Sequence, residues 1–452
     1  MSLRRFIHNS GHANCIIKSA TALEAIEGGR FDGQWRVSFP RRTHRSRRWL
    51  SMRGVNHATE KDSSHAMRGS YKETSGNQYS AHLGCQDMLL DCARRLKEQR
   101  NLQIDHLKSQ KWKIADLGSA DGSNSIRTMQ VFLDALRSDQ PNKTKENITD
   151  DIPSLDIVFE EHPSSDESKL TKTVASWLET TTTSSDCESK ITCNVLMKSF
   201  YESLFEPNSI DFCMSYICLH WLDSRDGVRG WKRLHLDLEK ATGKGLDGFL
   251  QVNERTAPQE LKNLWKAELA DHHLARFLTF RARELKPGAE LLLVMVSDPH
   301  EYVKPKRSHE SPLLKAMKKC VADGSLRPQV LERTVIPYYL RKPQDVIDAL
   351  ALAQQQEGQT AEAPIHSLEI IDIRKYETLT GGIGKGNDDG MKGARDLFWD
   401  IHGGAVVNTG GAVEEEVLAI KKCLAQTFDE SFDPTTGVVK GNFIACVFRK
   451  KN

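Results

Sequence analysis

Residues 111–125, Lys-Trp-Lys-Ile-Ala-Asp-Leu-Gly-Ser-Ala-Asp-Gly-Ser-Asn-Ser, constrain the fold more than any other stretch of the chain. An apolar run beginning at Ile114 predicts a short buried strand that carries Asp116. The strand runs into a turn with glycines at Gly118 and Gly122, and a helical pattern follows. A strand, a glycine turn and a helix in this order let the backbone approach a bound nucleoside closely.

The spacing of these glycines distinguishes between two classes of nucleoside cofactor. A dinucleotide fingerprint reads Gly-x-Gly-x-x-Gly and binds a pyrophosphate through its amides, whereas this turn reads Asp-Leu-Gly-x-x-x-Gly-x-Asn. An acid before the turn and polar side chains after it favour a cationic cofactor without phosphate. S-adenosylmethionine is such a cofactor, because its ammonium group can pair with Asp116. The motif alone favours a methyltransferase and leaves a dinucleotide-dependent oxidoreductase as the alternative.

Strands and helices alternate along the rest of the chain. Apolar runs predict strands at 155–159, 210–219, 246–252, 290–296, 368–373 and 443–448. Helical spacing predicts helices at 85–97, 126–136, 170–178, 261–285 and 414–428, and helical material at 313–356 that is interrupted near Pro337. The long helix at 261–285 should end at Pro287-Gly288. This alternation predicts an α/β fold with a mostly parallel sheet and helices on both faces. Ligands of such folds bind beyond the carboxyl ends of the strands.

Composition excludes several classes of protein. An apolar fraction of 38% and a charged fraction of 27% are typical of soluble globular chains. The longest apolar run, residues 291–296, is far too short to cross a membrane, so no membrane partner is expected. The net charge of +2 predicts no nucleic-acid partner. Ten cysteines without a Cys-x-x-Cys pair fit a reducing, cytoplasmic compartment.

The positive charge is concentrated at the N-terminus. Residues 1–60 hold eleven Lys and Arg against four Asp and Glu, a net +7, and the rest of the chain is −5. We therefore divide the chain into a basic leader at 1–66 and one domain at 67–452. An Arg-rich, acid-poor leader is typical of a plastid or mitochondrial transit peptide, and a disordered basic extension is the alternative.

Three motifs downstream carry a family resemblance. They are Lys198-Ser-Phe-Tyr-Glu-Ser-Leu-Phe-Glu-Pro, Cys218-Leu-His-Trp-Leu and Arg281-Ala-Arg-Glu-Leu-Lys-Pro-Gly. They are similar to Gly-Ser-Phe-Tyr-x-x-Leu-Phe-Pro, Ser-Leu-His-Trp-Leu and Arg-x-x-Glu-Leu-x-Pro-Gly-Gly of one family. From about Met67 to its C-terminus, the chain resembles the SABATH S-adenosylmethionine-dependent carboxyl methyltransferases, which include the plant salicylate, jasmonate and caffeine methyltransferases.

The resemblance implies a class I methyltransferase fold, a Rossmann-like, mostly parallel sheet with an added helical cap over the active site. The cap would come from insertions at about 222–285 and 300–365. S-adenosyl-L-methionine is the implied cofactor, and a small-molecule carboxylic acid, converted to its methyl ester, is the implied partner. Family members are often dimers, so a homodimer is a further expectation. Two alternatives stay open: N-methylation of a purine-like heterocycle, and a non-catalytic cofactor-binding homologue.

Carried over by position, the implied cofactor-binding residues are Asp116, Gly118, Asn124, Glu161, His162, Ser199 and Phe200. Ser199 and Phe200 would contact the adenine, Phe200 by stacking. Where the family's second strand ends in Asn-Asp-Leu-Pro, this chain has Glu160-Glu-His-Pro. Glu161 would therefore take the role of the aspartate that binds the ribose hydroxyls, and His162 would lie near the adenine.

The implied catalytic residues are Gln86, His220 and Trp221. The family signature Ser-Tyr-x-x-Asn-Ser-x-x-Gln fits this chain with its glutamine at Gln78 or at Gln86. Gln86 is preferred because it immediately precedes the helix before the first strand, although Gln78 stays open. An ionised carboxylate needs no general base at neutral pH. The indole N–H of Trp221 and the amide of Gln86 are neutral donors that would align it, and His220 would add a third hydrogen bond.

A metal site is not expected from the sequence. Asn253 occupies a position that the resemblance links to magnesium. The other magnesium-linked segment of the family, Phe-Asn-x-Pro, reads Thr334-Val-Ile-Pro here and lacks the asparagine. Asn253 is therefore the single candidate ligand, and the missing asparagine argues against magnesium.

Overall fold

The computed structural model describes residues 76–101, 111–137, 154–181, 191–222, 259–297, 311–336, 338–357, 368–382, 395–396, 398–399, 402–407, 410–431 and 438–451. The predicted leader, the strand predicted at 246–252 and Asn253 lie outside these residues. The division of the chain into a leader and one domain therefore stays a prediction.

Strands and helices alternate along most of the described chain. The strands are β1 (Trp112–Leu117), β2 (Leu155–Glu161), β3 (Ile191–Met197), β4 (Ile210–Tyr216), β5 (Leu285–Val296), β6 (Leu368–Gly382) and β7 (Val438–Lys450). The helices are α1 (Gly76–Gly84), α2 (Gln86–Asn101), α3 (Ser123–Arg137), α4 (Glu167–Thr181), α5 (Gln259–Trp265), α6 (Asp271–Glu284), α7 (Pro312–Ala322), α8 (Pro328–Arg333), α9 (Pro343–Glu357) and α10 (Glu414–Ser431). A π-helical turn, Lys266–Ala270, joins α5 to α6, and residues 402–407 are also helical.

The described strands form one seven-stranded sheet in the order β3-β2-β1-β4-β5-β7-β6. The first five strands pair in parallel, and β7 pairs antiparallel with both β5 and β6. The mostly parallel α/β sheet predicted from the sequence is confirmed. Strand order reverses between β1 and β4, and the crevice at such a switch point is where open α/β sheets bind ligands.

Each face of the sheet is covered by helices. Side chains on β1 alternate between the faces: Ile114 enters a core formed with α2, α3 and α4, whereas Ala115 and Leu117 enter a core formed with α6 and α9. A third core joins α7, α8, residues 402–407 and α10, and Trp221 and Tyr338 pack against it. None of the described helices is long and apolar enough to cross a membrane.

Several elements differ from the sequence expectation: α1 was not predicted, the strand predicted at 210–219 ends at Tyr216, and the helical stretch predicted at 313–356 is divided into α7, α8 and α9. The helix predicted at 261–285 ends at Glu284, and β5 already begins at Leu285, so Pro287 and Gly288 lie inside the strand. They coincide with a register shift in the pairing of β4 with β5, where a residue without an amide hydrogen is tolerated. The edge strand β3 was not expected, because its exposed polar residues give it no apolar run.

Candidate functional site

The turn after β1 is held in an unusual backbone conformation. Gly118, Ala120 and Gly122 have φ of +81°, +52° and +84°. A Cβ on Gly118 would lie 2.7 Å from the sulfur of Cys218. Glycine is therefore required here both for its conformation and for the close approach of the next strand's end. The turn leaves backbone near the carboxyl ends of β1 and β4, at the switch point of the sheet.

Four carboxyl groups gather around this turn; Asp121, within it, pairs with Lys169 at 3.2 Å, and the other three have no such partner among the described residues. Asp116 is 3% exposed and accepts a hydrogen bond from Ser119 Oγ at 3.0 Å. Burial raises the pKa of Asp116 to about 6. Glu160 is fully buried, its Oε2 accepts the Gly118 N–H at 3.0 Å, and burial raises its pKa well above the ordinary value. The Glu161 carboxylate accepts the backbone N–H groups of Ala120 and His162 and the Ser165 hydroxyl.

This acidic turn suits a cationic ligand. Within the described residues, no Lys or Arg lies within ion-pair distance of Asp116, Glu160 or Glu161. Burying carboxyl groups without a cation is unfavourable, which is why the pKa values of Asp116 and Glu160 rise. A ligand that brings its own positive charge would relieve this cost. The residues present therefore fit S-adenosylmethionine, which carries an ammonium and a sulfonium group.

The Ser199–Phe200 segment lies beside the turn. A ring carbon of Phe200 comes within 3.9 Å of the place where a Cβ on Gly118 would be. The segment is held by Arg281, whose guanidinium donates to the backbone oxygens of Phe200 and Glu202 at 3.0 Å. Arg281 also pairs with Glu284 at 2.8 Å, and both side chains are buried. The Arg-x-x-Glu motif therefore fixes the loop that carries Phe200.

The chain leaves the sheet at a strained residue before the His220–Trp221 pair. Ile217, the first residue after β4, has φ of +55°, which is unfavourable for a β-branched side chain. The segment that follows is tied down on two sides. The Tyr201 hydroxyl donates to the Trp221 carbonyl at 2.6 Å, and the Tyr339 N–H donates to the His220 carbonyl at 2.8 Å.

Four rings from three separate stretches meet here. The His220 and Trp221 rings lie 5.2 Å apart, and the Tyr338 ring lies 6.1 Å from His220 and 5.7 Å from Trp221. The His402 ring lies 5.8 Å from that of Tyr338. Burial lowers the pKa of His220 to about 3, with smaller contributions from His402 and Arg341. His220 is therefore a neutral imidazole at pH 7 and a poor general base.

The predicted glutamine lies on another element. Gln86 is the first residue of α2 and is half-buried. It lies four residues after His82, whose ring stacks on Tyr216 at the end of β4 with centroids 4.1 Å apart. Gln78 lies in α1, and its side chain is outside the described residues. The contact of either glutamine with an acceptor stays a prediction.

The remaining predicted cofactor residues surround the turn. Asn124 is buried in the first turn of α3, and Ser199 is buried with its hydroxyl accepting the Tyr201 N–H at 3.3 Å. The His162 ring is within 2.7 Å of the Ser164 hydroxyl. Tyr338 and His402 were missed by sequence reasoning, because neither lies in a motif or follows an apolar strand.

The described residues contain no cluster of three His, Cys, Asp or Glu side chains that could hold a metal ion. Asn253 lies outside the described part of the chain. Thr334, in the other magnesium-linked segment, is buried, and its hydroxyl donates to the Val330 carbonyl at 2.7 Å. Thr334 is the C-terminal cap residue of α8.

The strand order and the acidic glycine turn define a Rossmann-like α/β fold whose ligand crevice lies beyond the carboxyl ends of β1 and β4. Residues 62–362 match the family model of the SAM-dependent carboxyl methyltransferases. The chain belongs to that family, and the resemblance drawn from its motifs is confirmed.

Individual relatives are distant. The chain is 24% identical over 268 residues to Methyltransferase FUS9 of Gibberella fujikuroi, covering 59% of this chain and 64% of that protein. It is 23% identical over 248 residues to Gibberellic acid methyltransferase 2 of Arabidopsis thaliana, covering 52% and 58%. The match thus spans about three fifths of the length of these relatives. A structure of loganic acid methyltransferase with SAH matches this chain with a TM-score of 0.58 at 15% identity. The match covers 85% of this chain and 99% of that chain, and it shows a similar fold.

Proposed function

We propose that this methyltransferase acts on the carboxylate of a small organic acid and forms its methyl ester. One observation carries the proposal. The acidic turn after β1 suits a cationic methyl donor, and the segment after the neighbouring strand β4 contributes to a cluster of neutral rings. S-adenosylmethionine supplies a methyl group on a positively charged sulfur. Two of the matched proteins are named for carboxylic acids, gibberellic acid and loganic acid. Their names support a carboxylic acid acceptor here.

On the donor side, the carboxyl groups have distinct tasks. We assign Asp116 to the ammonium group, because its buried carboxylate gains a counter-charge there. We assign Glu161 to the ribose hydroxyls. Its carboxylate already accepts from Ala120, His162 and Ser165, which fixes its orientation, and a carboxylate has about four lone-pair sites, so it can accept further donors. Glu160 is fully buried, and its carboxyl oxygen accepts the Gly118 N–H and holds that amide in place.

On the acceptor side, the residues align and desolvate rather than transfer a proton. A carboxylic acid with a pKa of about 4 is already ionised at neutral pH and needs no base. A Lys or Arg partner would pair with the carboxylate and lower its nucleophilicity, whereas a neutral indole N–H or imidazole holds it without neutralising it. We assign this role to Trp221 and His220, with Gln86 as a further donor. The barrier then falls through alignment and exclusion of water.

The product distinguishes the competing functions. The protein would be incubated with S-adenosylmethionine carrying a labelled methyl group, together with a panel of carboxylic acids and, separately, xanthines. Methyl esters release labelled methanol in mild base, whereas N-methyl products do not. We expect base-labile label from at least one acid. Label that resists base would support N-methylation, and tight binding of S-adenosylhomocysteine without any turnover would support a non-catalytic homologue.

A further inference from the structure

The third core contains a pair of cysteines that methyl transfer does not use. Cys320 lies near the end of α7 and is fully buried, whereas Cys423 lies in the middle of α10 and is partly exposed. Both are free thiols, and their side chains are within hydrogen-bonding contact of each other. Because the two residues are far apart along the chain, the packing of α7 against α10 is what brings them together.

A hydrogen bond beside the pair fixes how the two helices face each other. Lys319 Nζ donates to Gln426 Oε1 at 2.7 Å. Lys319 directly precedes Cys320, and Gln426 follows Cys423 by three residues, less than one helical turn. The contact between the thiols and the contact between the flanking side chains therefore agree on the same alignment of α7 and α10.

Small residues let the helices approach closely at this point. Ala316 is buried in the third core and Ala419 packs against it, and each lies four residues before a cysteine, on the same face of its helix. Helices packed with about 8–10 Å between their axes bring facing Cα atoms to within about 5 Å of each other. A disulfide spans a Cα separation of about 4.4–6.8 Å. The two sulfurs can therefore be joined with little movement of the helices.

The different exposure of the two thiols determines which one an oxidant reaches. Cys423 is partly exposed, whereas Cys320 is enclosed by the core. Burial and the neighbouring Cys423 thiol raise the pKa of Cys320 to about 12. The thiolate is the reactive form of cysteine, so Cys320 is unsuited to react first. Cys423 is the residue that can meet an oxidant from solution, and Cys320 is placed to react with the product.

We propose that Cys320 and Cys423 form an intramolecular disulfide when the protein meets a hydroperoxide, and that this bond links α7 to α10 reversibly. The Cys423 sulfur attacks one oxygen of hydrogen peroxide, the O–O bond breaks, and a sulfenic acid and one water are formed. The Cys320 sulfur then attacks the sulfenic sulfur, the S–O bond breaks, and the oxygen leaves as a second water with the Cys320 proton. The two thiols lose two electrons and two hydrogens, and one peroxide becomes two waters. Added dithiol reverses the bond by thiol–disulfide exchange.

Peptide mapping tests the proposal. The full-length protein is reduced, freed of reductant, treated with hydrogen peroxide, blocked with iodoacetamide and digested with trypsin. Trypsin should release the two cysteines in separate peptides, residues 320–333 and 423–440. We expect these peptides to be linked, with a mass two hydrogens below their sum, and to separate in dithiothreitol. Oxidation should also raise the melting temperature by about 5 °C, because the bond closes a long loop and restricts the unfolded chain.

Variants separate the roles of the two cysteines. In Cys320→Ala the sulfenic acid has no partner, so dimedone should label Cys423 and oxidation should not raise the melting temperature. Cys423→Ser should show neither the linked peptide nor the rise. Cys193→Ser is the matched control, because Cys193 on β3 is also partly exposed but is influenced by Asp156 and Lys111 rather than by a second thiol. It should form the cross-link like the wild type, and all three variants should bind S-adenosylhomocysteine normally.

Three results would overturn the inference. They are absence of the linked peptide once Cys423 has been oxidised, linkage of Cys423 to a different cysteine, and a cross-link that forms only when the protein is unfolded in urea. The inference does not depend on the acceptor of the methyl group. Failure of the proposed function would appear instead as absence of base-labile methyl transfer by the fully reduced protein.

Discussion

Burial and the charge of a bound ligand have opposite effects on the pKa of Asp116: burial raises it, and a cationic ligand would lower it. The folded protein raises the pKa of this carboxyl from 3.8 to about 6, so the folded state holds the proton more tightly than the unfolded state. Its contribution to the free energy of unfolding therefore increases as the pH falls through 6 and levels off below about 4. At neutral pH the ionised Asp116 makes the ligand-free protein less stable, and this is the form that binds an ammonium group.

Asp116→Asn should therefore separate stability from binding. We expect the ligand-free variant to be more stable than the wild type by about 1–2 kcal/mol at pH 7.5, because an amide needs no counter-charge. Urea unfolding measures this gain, which should shrink at pH 5, where Asp116 is protonated. Calorimetry should show at least about a thirtyfold loss in affinity for S-adenosylhomocysteine. A destabilised variant that binds normally would contradict the assignment.

Trp221→Phe tests the acceptor side of the site. The phenyl ring keeps the packing against Tyr338 and the third core, while the indole N–H is removed. We expect kcat/KM for the acid acceptor to fall by about thirtyfold or more, because a donor to an ionised oxygen is lost. Affinity for S-adenosylhomocysteine should be unchanged. Unaltered acceptor kinetics would remove Trp221 from the mechanism.

At the scale of single elements, the turn between β1 and α3 combines strain with close contact. Gly118→Ala should lower the free energy of unfolding by about 3 kcal/mol, since the new Cβ meets the Cys218 side chain at a positive φ. Gly324→Ala is a matched control, because Gly324 has φ of +79° and nothing within 4 Å of the new Cβ. We expect it to lose only about 1 kcal/mol in the same urea titration. Equal losses would show that contact with Cys218 is unimportant.

One lysine of the π-helical turn between α5 and α6 contacts three carboxylates. Lys266 Nζ lies 2.7, 3.5 and 2.8 Å from carboxylates of Asp271, Asp345 and Asp348. The lysine side chain is 26% exposed, and Asp345 is buried beneath it. These ion pairs link the π-helical turn to the start of α9.

Removing that lysine should cost more than removing a surface cation. Lys266→Met leaves Asp271 and Asp345 without their cation, and we expect a loss of about 2 kcal/mol in thermal or urea unfolding. Arg94→Met is the comparison, because Arg94 pairs with Asp91 and Glu98 while 58% exposed. We expect its loss to stay within about 0.5 kcal/mol. Similar losses for both variants would refute a stabilising role for the ion pairs of Lys266.

At the scale of the whole molecule, ligand binding should be linked to global stability, because the turn joins strands from both halves of the sheet. At a concentration one hundred times its Kd, S-adenosylhomocysteine should raise the free energy of unfolding by about 2.7 kcal/mol. The melting temperature should then rise by several degrees. NAD at the same concentration should give no shift, and the same concentration of S-adenosylhomocysteine should stabilise Asp116→Asn by no more than about 1 kcal/mol. A shift with NAD alone would contradict the identity of the cofactor site.

Much of the fold was predictable because it depends on local patterns. The strand at β1, the glycine turn and α3 follow from apolar runs and residues with special backbone freedom, which act over a few neighbours. The same is true of Asp116 and Gly118 in the site. Edge strand β3 was missed because exposed polar residues interrupt it and remove the apolar run that marks a buried strand.

The sequence alone determined the alternation of elements, the glycine turn and the motifs that identify the family, because each of these is encoded in neighbouring residues. Only the tertiary structure decided that β7 lies between β5 and β6, and that the Tyr338 ring contacts those of His220, Trp221 and His402. These contacts join residues far apart along the chain. Their partners are selected by packing and burial, which a local pattern does not contain.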